Sequence, residues 1–266
     1  MVEKGYLKIP EGKVFFRKLG AGKHLIIALH GFGQDSAVYS HFPLPQGYCL
    51  YALDLPWHGL TEWWGDSFSP ESLKIIVDEI LLLEAACTHL DLIGFSYGAA
   101  LWLGALPIFS THSHRVFLVS PEAIGGRWQC CTTNIPGKAR RWIAVIMLNH
   151  YSLLLKLAAL LTKINLLHPF ALRFLRYNLE DHAKRLRIIN TWTNLSLFPI
   201  RKHKLTMRSA ALPAIHLLIG EKDPLLDVNK VKKWADQVAG LKLQILPYGH
   251  HLLEKADWAM LLRQTL

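Results

Sequence analysis

Acidic residues are nearly missing from the middle of this chain. Between Arg127 and Arg208 there are fifteen Lys/Arg against two acids, Glu180 and Asp181, a balance of +13. The rest holds fifteen Lys/Arg and eighteen acids, or −3, so the whole basic excess of the +10 chain lies in one segment. Such asymmetry speaks to partners rather than to fold. Cysteine is also scarce, and Cys49, Cys87, Cys130 and Cys131 show no metal-type spacing. Reduced thiols, as in a cytosolic protein, are expected, even at the adjacent Cys130-Cys131 pair. Met1 to Lys13 is polar and mixed in charge, with no apolar h-region, which predicts no secretory signal and a cytoplasmic location. Internal repeats and low-complexity stretches are absent. Trp142 to Thr162 is long enough for a membrane span, but Asn149, His150, Ser152 and Lys156 interrupt it. A cap helix with one polar face is the expectation there, and a helix lying on a membrane surface is the second reading.

What is present is enough for a large core: 51% apolar and 19% charged residues over 266 positions. That length fits one large domain, or one domain carrying an insertion. Near-continuous apolar runs at His24–Leu29, Tyr48–Leu53, Leu90–Ile93, Val116–Val119 and Ala214–Ile219 read as strands buried on both faces of a sheet. Val14–Phe16 reads as an edge strand, and Leu241–Leu246 alternates as the last one. Between them, Ser69-Pro70-Glu71 is a helix start, followed by Leu73, Ile76, Val77, Ile80 and Leu81 at helical spacing. Val228 to Val238 reads as another helix. The predicted fold is α/β: a mainly parallel, doubly wound sheet. From 125 to 208 the alternation stops, and helices are expected at Arg140–Leu161, Pro169–Asn178 and Glu180–Trp192. We read 1–124 and 209–266 as the sheet domain and 125–208 as an inserted helical cap.

The chemistry centres on Gly94-Phe95-Ser96-Tyr97-Gly98, set between a strand and the helical stretch Ala99–Leu103. Strand, sharp turn and helix around Gly-x-Ser-x-Gly is the nucleophile elbow, which presents the serine hydroxyl at the apex of a strained turn. A serine hydroxyl needs a base to become nucleophilic near neutral pH. His250 follows the final strand in Tyr248-Gly249-His250 and is preferred to its neighbour His251, because Gly249 leaves the turn free to aim it. The acid expected to orient that base is Asp223, just after the penultimate strand; Glu122, which also ends a strand, is the rival. Two backbone N–H groups are expected to hold the oxyanion, those of Tyr97 and of Phe32 in His30-Gly31-Phe32-Gly33. His30 is expected to brace that loop.

These motifs, with Asp54-Leu55-Pro56-Trp57-His58-Gly59, resemble the α/β-hydrolase superfamily over nearly the whole chain. Trp57 stands where relatives usually carry glycine, so a different local turn is expected. The resemblance implies that Asp54 and His58 are structural and that no metal or organic cofactor is used. A serine at position 96 looks like esterases, thioesterases and lipases, acting on a small-molecule ester or acyl thioester through an acyl-enzyme. The alternatives are a lyase or acyltransferase using the same triad, or a non-catalytic binding module on this fold. In such relatives an insertion at this place roofs the site. Apolar cap residues such as Trp142, Met147, Leu153, Leu157, Leu160, Leu161, Phe170 and Phe174 are therefore expected to pack onto the sheet domain, some lining an acyl pocket. The cap's cations suit an anionic partner: an acyl carrier protein, a coenzyme A ester or an anionic membrane surface. Without a recognised motif, nucleic acid is not expected.

Overall fold

A computed structural model describes residues 2–110, 112–121, 123–124, 137–194 and 212–263. Its strands are β1 (Val2–Ile9), β2 (Gly12–Gly20), β3 (His24–Leu29), β4 (Tyr48–Leu53), β5 (Glu62–Trp63), β6 (His89–Phe95), β7 (Arg115–Val119), β8 (Ala214–Gly220) and β9 (Lys242–Leu246). They form one sheet in the order β1-β2-β4-β3-β6-β7-β8-β9, with β5 paired to β2. β1, β2 and β4 pair antiparallel, and every pair from β4 to β9 is parallel. The doubly wound parallel sheet expected from the apolar runs is thus present.

Alternation explains why those runs are almost entirely apolar, the buried Asp91 being paired with Arg115. In β3, Leu25, Ile27 and Leu29 join one core with α1 (Pro70–Leu83), α2 (Tyr97–Phe109) and α7 (Val228–Ala235). Ile26 and Ala28 point to the other face, against Tyr39 and Trp258 of α8 (Trp258–Arg263). Both faces are covered, so both registers of each strand must be apolar. The chain leaves β3 for β4 on one side and returns to β6 on the other. The crevice at the C-terminal ends of β3 and β6 is therefore a topological switch point, where ligands bind in open α/β sheets.

The hairpin strand β1 was not legible as a strand, since in Val2–Ile9 Leu7 and Ile9 alone are fully buried. The helices after β7 are α3 (Gly137–Asn149), α4 (Tyr151–Lys163), α5 (Pro169–Leu179) and α6 (His182–Asn194). The single helix expected over Arg140–Leu161 is in fact two, bent by 95° where His150 leaves the helical region. No single helix among the described residues is long and apolar enough to cross a membrane. The expected packing of cap residues also needs correction. Among the apolar residues of α3 and α4, Ala144 and Ala158 are buried, whereas Trp142, Leu153, Leu157 and Leu160 face solvent. Cys49 and Cys87 are free thiols. Cys130 and Cys131 lie outside the described residues.

Candidate active site

Ser96 sits between the end of β6 and the start of α2 with φ 51° and ψ −107°, a conformation that costs a non-glycine residue energy. Its backbone is pinned on both sides. Ser96 N–H donates to Val119 O at 2.8 Å, and Ala100 N–H donates to Ser96 O at 3.1 Å. The flanking glycines are required by close approach. A Cβ on Gly94 would stand 2.5 Å from Ala99 Cα, and one on Gly98 would stand 2.3 Å from Leu29 O. The helix start is thus pressed against β6 and β3, and the serine is left at the apex, largely buried.

The loop after β3 is held by two neutral imidazoles. His30 Nδ1 donates to Gly31 O at 2.8 Å, and its Nε2 accepts from Leu55 N–H at 3.0 Å. His58 Nδ1 donates to Pro56 O at 2.9 Å, and its Nε2 accepts from Gly33 N–H at 3.2 Å. Burial pushes the pKa of both rings down, that of His58 well below the usual imidazole range. Asp54 ties the same region from below, accepting from Ser36 and Leu60 N–H groups, each at 2.7 Å. Trp57 adopts φ 62°, a left-handed backbone that favours glycine. The tryptophan thus holds a backbone conformation that a glycine would take without strain, with its indole packed on Trp63.

This clamping selects one donor. Gly31 N–H is taken by Gln34 Oε1 at 3.0 Å and Gly33 N–H by His58. Phe32 N–H, between them, has no partner among the described residues. The Phe32 ring packs edge-on against Tyr97, centroids 5.9 Å apart, so the two residues expected to hold an oxyanion are neighbours.

On the other side of the elbow, His250 Nδ1 lies 2.7 Å from Asp223 Oδ2. Asp223 is buried, and its second oxygen accepts from Leu225 N–H at 2.9 Å. Cross-loop bonds fix the two turns together: Glu221 N–H to Leu246 O at 2.8 Å and Lys222 N–H to Tyr248 O at 2.9 Å. With a carboxylate on Nδ1, the imidazole carries its proton there and leaves Nε2 free to accept. The ring packs against Phe95, the residue before the serine, with centroids 5.2 Å apart. His251 is exposed, with its ring turned 74° from that of His250. Ser96 Oγ makes no hydrogen bond among the described residues. Glu122, the rival acid, lies outside them.

Residues of α5 and α6 close over the clamped loop: Phe174, expected from its apolar character to pack on the sheet domain, and Thr191 and Asn178, which sequence reasoning did not single out. Phe174 of α5 packs on Phe32, centroids 6.2 Å apart. Thr191 Oγ1 of α6 is 3.5 Å from His58 Nε2. Asn178 is buried beside Gly33, and its Oδ1 has no partner among the described residues. Nothing in the spacing of Thr191 and Asn178 along the chain marks them, because their contacts depend on how α5 and α6 fold back.

The sequence profile described as "Alpha/beta hydrolase family" matches residues 26–260. The chain belongs to this family. Solved structures of similar fold include a thioesterase domain from the curacin biosynthetic pathway, 18% identical, with TM-score 0.65 over 98% of each chain. An esterase from Thermogutta terrifontis is 15% identical, with TM-score 0.65 over 94% of this α/β hydrolase and 91% of that chain. The enol-lactonase from Burkholderia xenovorans is 14% identical, with TM-score 0.64 over 97% and 96%. At such identities the likeness shows the fold alone. No curated protein matches this α/β hydrolase in sequence.

Proposed function

We propose that this α/β hydrolase cleaves a carboxylic ester or thioester through an acyl-enzyme on Ser96. The observation that carries the reading is the His250–Asp223 hydrogen bond of 2.7 Å, held against the residue that precedes the strained serine. In this reading Ser96 Oγ attacks the carbonyl carbon as His250 Nε2 takes its proton. The bond from Oγ to the base is made in the substrate complex, since catalytic hydrogen bonds commonly tighten there. Phe32 and Tyr97 N–H groups receive the oxyanion, at the N-terminus of α2. Collapse expels the alcohol or thiol, which takes the proton back from His250. Water, deprotonated by the same base, then attacks the acyl carbon and releases the acid and Ser96.

The test is labelling by a fluorophosphonate probe, with the modified residue located by mass spectrometry. Label on Ser96, absent in Ser96→Ala, supports the reading. An unlabelled wild-type chain that also turns over no ester in a panel of graded acyl length, run beside acyl thioesters, ends it.

A further inference from the structure

Helices α3 and α4 are turned the wrong way for a protein surrounded by water. In α1, Leu73, Ile76, Val77 and Ile80 face the sheet and are fully buried. In α4 the positions Leu153, Leu157 and Leu160, with Ile164 just past its end, recur at helical spacing, share one side, and are each half exposed or more. On α3, Trp142 is 72% exposed and lies one turn from Val145 and Ile146, which are also exposed. Two consecutive helices thus each present apolar side chains to solvent, and exposed apolar surface of this kind marks an interaction site.

The charge around the stripes says what covers them. From residue 137 to 179 there are seven Lys/Arg and no Asp or Glu. Lys156 and Lys163 flank the α4 stripe on one side and are exposed, as are Arg141 on α3 and Arg173 and Arg176 on the following helix. Leucines and an interfacial tryptophan bordered by cations, without one acid, match an acyl layer beneath anionic headgroups. The 95° bend between α3 and α4 gives no straight span but lets both helices lie along one surface.

We propose that the outer face of α3 and α4 docks on an anionic lipid bilayer. The leucine stripe and Trp142 enter the upper acyl region, and the flanking lysines and arginines pair with lipid phosphates. The docked face adjoins α5, whose Phe174 rests on Phe32, so binding sets the cap and its site against the membrane. Docking stands apart from the hydrolytic reading, because it is measured without turnover.

The test is flotation of the full chain with vesicles of phosphatidylcholine alone, or mixed with phosphatidylglycerol. The wild type is expected to float with the mixed vesicles, at least about tenfold less with the neutral ones, and less as salt is added. The triple variant Leu153→Ser, Leu157→Ser, Leu160→Ser is expected to lose at least about tenfold in vesicle affinity. Its circular dichroism and its turnover of a short, soluble ester should stay unchanged. The double variant Lys156→Glu, Lys163→Glu reads the charge contribution should the triple variant not fold. Docking is overturned if the wild type ignores both vesicles, or if both variants float as it does. It is equally overturned if the face proves to join two copies, seen as a dimer without lipid that the triple variant abolishes. Binding of an acidic acyl carrier protein through these residues, with vesicles ignored, also overturns it.

Discussion

His58 Nε2 accepts the Gly33 N–H at 3.2 Å, joining the loop after β4 to the loop after β3. The bond sits one residue from Phe32, whose own N–H has no partner among the described residues. His58→Ala strands the Gly33 N–H and the Pro56 carbonyl in a buried place, which costs about 1–3 kcal/mol. It also loosens the donor expected to meet the oxyanion. The expected result is a fall in kcat of roughly tenfold or more with KM little changed. A variant that loses stability while kcat stays at the wild-type value removes the link between clamp and oxyanion.

Asp223 carries its own prediction, because its carboxylate is buried and reaches both His250 and the Leu225 N–H. Asp223→Asn keeps the size but favours the wrong tautomer of the ring. A loss of about 10⁴-fold in kcat, with fluorophosphonate labelling slowed in parallel, is expected. His251→Ala, on an exposed neighbour, should leave ester turnover within about twofold of wild type. Steady-state kinetics on one soluble ester reads both variants. If the His251 variant dies and the Asp223 variant lives, the assigned base and acid are wrong.

The fold was legible where strands are covered on both faces, since burial then forbids polar residues in either register. The runs ending at Leu29, Leu53 and Val119 are of this kind. β1 was not, because an edge hairpin strand buries one side and Val2 to Tyr6 carry mixed polar residues. The α3–α4 break was missed because neither proline nor glycine marks it, and Asn149-His150 is compatible with a helix interior. At the site, the elbow and the turn after β9 could be read from glycine placement. The contacts of Asn178 and Thr191 could not, because they depend on tertiary folding of the insertion. The apolar residues of α4 misled for a physical reason: periodicity shows that a helix has an apolar side, but not which way that side faces.

Gly98 tests the elbow without touching a reacting group. A Cβ there would meet the Leu29 carbonyl at 2.3 Å, a backbone atom that cannot swing aside. Gly98→Ala must therefore push α2 away from β3 and move Ser96 with it. A destabilisation of roughly 2–4 kcal/mol is expected. Activity should fall by about 10²-fold, as a displacement on the order of 1 Å can cause. Ala99→Gly, one residue along, adds no atom and should cost no more than about 1 kcal/mol. Urea unfolding and ester turnover on the two variants separate a close approach at position 98 from a general weakness of the helix.

Acid should unfold this protein through its buried imidazoles. His216 is stacked on Phe117, its Nε2 has no partner among the described residues, and burial lowers its pKa to about 4, helped by Lys242 and Arg115. His30 and His58 are depressed as well, chiefly by burial. In each case the unfolded chain binds a proton as pH falls through 6.5, the usual imidazole value, while the folded chain does not. The unfolded state therefore holds more protons below that point, and stability drops as pH falls. Each group contributes a slope of about 1.4 kcal/mol per pH unit until its folded pKa is reached. His216→Phe keeps an aromatic ring against Phe117 and removes a buried nitrogen that bonds to nothing, so it should be neutral or mildly stabilising at pH 7. Urea unfolding over this pH range should show the variant losing stability less steeply than wild type, by that same slope down to about pH 4. Parallel curves would mean that His216 is already protonated in the folded protein, facing a counter-charge the buried geometry does not supply.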